Sequence, residues 1–100
     1  MSFSNLSSVT KTADAAAISG RTRVVGIYFT NTDTASSFSL KNGSTSSGSA
    51  LVTINTPAAA GSSDIIVPDM GVLFTDGVFI DVADVNVTSV TLFFEGGAAA

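Results

Sequence analysis

The chain has 100 residues, a formal net charge of −4, only 12% charged residues, and neither cysteine nor histidine. That length allows one domain with one modest core. Disulfide and thiolate chemistry are excluded, the commonest general base and metal ligand is missing, and four basic residues are too few to grip nucleic acid or an anionic membrane.

The hydrophobic share is 45%, much of it Ala and Val, and Ser and Thr fill the surface role usually taken by Lys and Glu. Ser and Thr compete for helix backbone bonds, whereas Thr and Val suit a pleated surface, so strands are expected throughout. A free monomer usually keeps a charged surface for solubility. A surface this weakly charged suggests contact with other protein. No apolar run approaches the roughly 20 residues of a membrane span. Met1 to Leu6 lacks the charged start and apolar centre of a signal peptide. With no cysteine, this gives the expectation of a protein made and assembled inside a cell.

In chain order, Met1 to Thr12 is polar, with apolar residues at Phe3, Leu6 and Val9. It reads as an extended N-terminal arm over residues 1–12, with residues 13–100 forming the domain. Val9 to Ile18 is expected as an edge strand and Ser19-Gly20 as a turn. Arg21 to Asn31, RTRVVGIYFTN, is the longest strand-forming run of the first half. Val25, Ile27 and Phe29 share one parity, and Val24, Gly26, Tyr28 and Thr30 the other. Both faces are therefore expected to be covered, one by a facing sheet and one by a neighbour.

Asn31 to Ala35 is a turn rich in capping side chains. Ser37 to Lys41 alternates with Phe38 and Leu40 inward, and Asn42-Gly43 is the strongest short turn signal. Ser44 to Ser49 is a polar loop. Ala50 to Thr56 is a strand with Val52 and Ile54 inward, ended by Pro57. Ser63 to Val67, Val72 to Phe74 and Val78 to Val82 follow as short strands. Asp76-Gly77 turns between the last two. Val85 to Glu95 is a long final strand whose apolar parity switches from Val85 and Val87 to Val90, Leu92 and Phe94, which implies a bulge or twist near Ser89. About eight strands with frequent turn signals and no room for helical crossovers predict an all-β fold: a small antiparallel β-sandwich, jelly-roll-like.

No set of side chains points to catalysis. A glycosidase needs two opposed carboxylates, but turn capping accounts for Asp33, Asp69, Asp76 and Asp84. Asp81 and Asp84 are too few for a calcium loop. No nucleophile elbow or phosphate loop is present, so no catalytic residue, cofactor site or metal site is assigned. Arg21 and Arg23 share one face of their strand and read either as solvated edge charges or as contacts to a partner's carboxylates. Tyr28, Phe79 and Phe93 fall opposite many core positions. They fit an intersubunit contact, a second core layer or a sugar-stacking platform; the lack of Trp disfavours the last.

The run RTRVVGIYFTNTD, then FSLKNGS, LVTINTP, GVLFTDGVFIDV and a final VTLFF resembles a group of short phage virion proteins, small β-sandwich or jelly-roll subunits that decorate capsids or join tails and fibres. The resemblance spans residues 20 to 95. It implies a capsid decoration (cement) protein, a homotrimer bound across major capsid protein subunits on the virion surface. Phe3, Leu6, Val9, Arg21, Arg23 and Tyr28 are then the contact residues. The alternatives are a tail, adaptor or fibre-base component of the virion, and a host-surface carbohydrate-binding module.

Overall fold

The computed structural model describes residues 6–68 and 70–100. Among these residues eight antiparallel strands make up the fold: β1 (Ser7–Lys11), β2 (Ala15–Asn31), β3 (Ser36–Asn42), β4 (Ala50–Thr56), β5 (Gly61–Ile66), β6 (Val72–Phe74), β7 (Gly77–Val82) and β8 (Val87–Ala99). No helix occurs among the described residues.

The strands join in the order β1-β8-β2-β7-β3-β4, with β5 and β6 also paired to β2. Pairing is nested along the chain: β1 with β8, β2 with β7, β2 with β6 and β5, and β3 with β4. A long hairpin rolled upon itself produces that nesting, so the fold is a jelly-roll-like sandwich. One layer is β1-β8-β2-β5/β6 and the other β2-β7-β3-β4. The shortest extent of the molecule, 21 Å, suits two layers with their side chains.

β2 belongs to both layers. Its first part, Ala15 to Ser19, pairs with β7, and its second part, Thr22 to Asn31, pairs with β6 and β5. The change of partner falls at Gly20, whose φ of 84° glycine adopts most readily. β8 follows β2 through the bend on its other edge, from Ile18 to Asn31. The expected turn at Ser19-Gly20 is thus a bend within one continuous strand. The expected strand over Val9 to Ile18 is split, with residues 12–14 between β1 and β2.

One core lies between the layers, built from Ala17, Ile18, Val24, Ile27 and Phe29 of β2, Phe38 and Leu40 of β3, Phe74 of β6, Val78 and Ile80 of β7, and Val87, Val90, Leu92 and Phe94 of β8. The Phe29 and Phe38 rings meet edge to face with centroids 5.4 Å apart. Because β7 separates β2 from β3 along the sheet, that contact crosses the interior. Val52 and Ile54 of β4 rest against the core only partly covered.

Two of the register shifts bear on the inward faces expected of β2 and β8. Between Val24 and Gly26 the register against β8 shifts by one residue, so Val24 is buried with Ile27 and Phe29 while Val25 is only half-buried. The expected face of Val25, Ile27 and Phe29 is corrected accordingly. In β8 the shift falls at Thr88, between the pairs Thr30–Ser89 and Asn31–Val87, which places both Val87 and Val90 in the core. This is the bulge expected near Ser89.

Residues 7–11, read from the sequence as part of an arm, form an edge strand of the sheet. Val9 pairs with Leu92 and packs against the core. Loop connections are held by side chains. Asn31 donates from Nδ2 to the Ala59 carbonyl at 2.9 Å, and Asn42 accepts the Asp76 amide at 2.9 Å while donating to Thr75 Oγ1.

Candidate functional site

The alternation that buries Ile27 and Phe29 turns Gly26, Tyr28 and Thr30 outward. Cross-strand register then lays out rows on the outer face of the first layer. One row is Ile66, Gly26, Phe93 and Ser8; the next is Asp64, Tyr28, Thr91 and Thr10; a third is Ser62, Thr30 and Ser89. The Phe93 ring lies over Gly26, where an added Cβ would stand 3.4 Å from it. Ile66 is 83% exposed, Tyr28 38% and Phe93 36%.

Beside these apolar groups runs a set of mutually bonded hydroxyls. Thr10 and Thr91 are 2.7 Å apart, and Thr30 lies 2.7 Å from Ser89 and 2.5 Å from Thr88. Hydroxyls bonded to one another are partly desolvated already, so covering them costs less than covering free ones. Asp64 is the one charged member of the three rows. A face of this kind favours burial against another surface.

The sequence-derived contact residues distribute unevenly over this face. Tyr28 is at its centre. Arg21 and Arg23 flank the buried Thr22 and point outward from the same strand, so they continue the face toward Gly20. Arg23 stands opposite Glu95 in register, yet neither arginine forms an ion pair among the described residues. Leu6 is exposed just ahead of β1, Val9 faces the core, and Phe3 lies outside the described residues. Phe79 pairs with Ala16 and Lys41 on the second layer, away from Tyr28 and Phe93. Ile66 was not singled out by sequence, because its only link to the site is register with Gly26 on a remote strand.

Three acidic residues, Asp14, Asp81 and Asp84, are engaged in holding the fold. Asp81 Oδ2 forms a 2.6 Å ion pair with Lys41 Nζ across β3 and β7. Asp14 and Asp84 border an open depression of about 410 Å³ lined also by Thr12, Ala13, Val82, Ala83 and Val85. Asp14 Oδ1 accepts the Val82 amide at 2.7 Å. Asp84 Oδ1 accepts the Asn86 amide at 2.9 Å and the Ser36 hydroxyl at 2.8 Å. The Asn86 amide bond, then the Ser36 hydroxyl, hold the Asp84 carboxyl below its ordinary value. Both carboxylates therefore act as caps, and no group of three or more metal-ligating side chains occurs among the described residues.

Comparison with protein-family models, with curated proteins and with solved structures finds no match to this chain.

Proposed function

We propose that this chain is a virion structural protein, a capsid decoration subunit that seats the outer face of its β1-β8-β2-β5 layer on major capsid protein. The observation that carries the reading is the trio Ile66, Phe93 and Tyr28 around the covered Gly26, an exposed apolar cluster bordered by hydroxyls already bonded to one another. The phage-protein resemblance of residues 20 to 95 supplies the class of partner. Binding needs no chemistry: each copy buries this face and stabilises the shell by mass action. Arg21 and Arg23, free of ion pairs among the described residues, supply charge at the rim of the contact.

Stoichiometry in purified particles tests the proposal. The expected result is a copy number comparable to that of the capsid protein, with antibody label spread over the shell. Tyr28→Ser combined with Phe93→Ser should lower occupancy about tenfold or more while the chain stays folded. Absence from particles, or a low copy number confined to one vertex, would overturn it, the latter in favour of a tail or adaptor role.

A further inference from the structure

We propose that β4 is a self-association edge, by which two copies of this chain join their β4 strands antiparallel about a two-fold axis at Ile54. β4 ends the sheet path and, among the described residues, pairs only with β3, so its far side carries backbone groups with no strand partner there. Such edges invite another strand, and proteins that must avoid this place charge, proline or a bulge there. In β4 a bulge sets Leu51 apart and Pro57 closes the strand, but Val52 to Thr56 between them is regular and uncharged. The neutrality extends to its flanks: residues 42–63 contain no Asp, Glu, Lys or Arg.

The other open edges differ. β5 carries Asp64 near its middle, β1 ends in Lys11, and β6 is uncharged but only three residues long. A two-fold axis brings each strand against its own copy, so a central charge meets itself and repels. β4 is the longest of these edges that carries no charge. The register also suits a second copy. With Ile54 on the axis, Ile54 meets its own counterpart, Val52 meets Thr56, and Thr53 meets Asn55. Val52 and Ile54 are half-covered at the open margin of the core, and this pairing would complete their burial. So short an edge buries less than the roughly 1,200 Å² of a standard interface. Association is therefore expected at high concentration, or where copies are already held close together. The proposal does not depend on the virion reading, since its test uses the isolated chain.

The test is sedimentation velocity of the full chain from micromolar to millimolar concentration, with two double variants at exposed positions. Thr53→Lys with Asn55→Lys sets lysine against lysine across the axis and should abolish dimers. Thr53→Lys with Asn55→Asp sets lysine against aspartate in that register and should restore them, although the edge is equally decorated with charge. Circular dichroism and matching unfolding midpoints establish that both variants are folded. A wild-type chain that stays monomeric throughout would overturn the proposal, as would equal association of the two variants.

Discussion

At the scale of single residues, Asp84 offers a pH-dependent readout. Its carboxylate accepts the Asn86 amide and the Ser36 hydroxyl, and its folded pKa lies below the unfolded one. The resulting stabilisation is present above the unfolded value and is lost as pH falls through the folded value, that is, below about pH 4. Asp84→Ala should therefore flatten the acid limb of the stability profile and remove a small constant increment at neutral pH, measured by urea unfolding across pH. Gly77 offers a conformational test. Its φ is 111°, and a Cβ there would stand 2.6 Å from the Ile18 carbonyl oxygen. Gly77→Ala should cost about 1–3 kcal/mol by chemical denaturation. The Asp76-Gly77 signal marked this turn in the sequence, because the glycine requirement is local. The closeness of Ile18 was not legible, because it depends on β2 and β7 pairing across a long stretch of chain.

At the scale of elements, the strands were readable wherever one face was apolar and the other polar. Phe38 with Leu40, Val52 with Ile54, and Val78 with Ile80 all turn inward as alternation required. The phase slip of β8 was also legible, since Val87 and then Val90, Leu92 and Phe94 could not share one parity without an extra residue. The slip in β2 was hidden because Val24 and Val25 are both valine, so composition could not say which one the bulge would expose. β1 shows the same limit. Ser7 to Lys11 is polar enough to read as an arm, and only its pairing with β8 reveals it as sheet. Truncation after residue 11 should accordingly lower stability by about 2 kcal/mol or more relative to truncation after residue 5, because it uncovers Leu92 and removes Val9. Unfolding midpoints of the two truncations check this.

At the scale of the whole molecule, two layers share one core, and Phe38 is where they meet. It is buried, touches Phe29 across the interior, and pairs with both Ile54 and Val82. Phe38→Ala should cost about 3–5 kcal/mol, measured by denaturant unfolding, and should lower the stability of both layers together. The outer face was only partly legible at this scale. Tyr28 and Phe93 could be assigned outward, but their meeting over Gly26 beside Ile66 needs three strands brought into register.

The route of β2 through both layers bears on how the chain is made. From Ile18 to Asn31 β2 is flanked by β8, which is synthesised after every other strand described here. Until those residues leave the ribosome, β2 has one bare edge and the core lacks Val87, Val90, Leu92 and Phe94. Such a topology cannot mature piecemeal. Closure waits for the last strand, and folding belongs in the slow, millisecond-to-second class of chains dominated by distant pairings. Nascent chains halted ahead of Val87 should then remain protease-sensitive, whereas chains extended beyond Ala100 by an exit-tunnel-length linker become resistant.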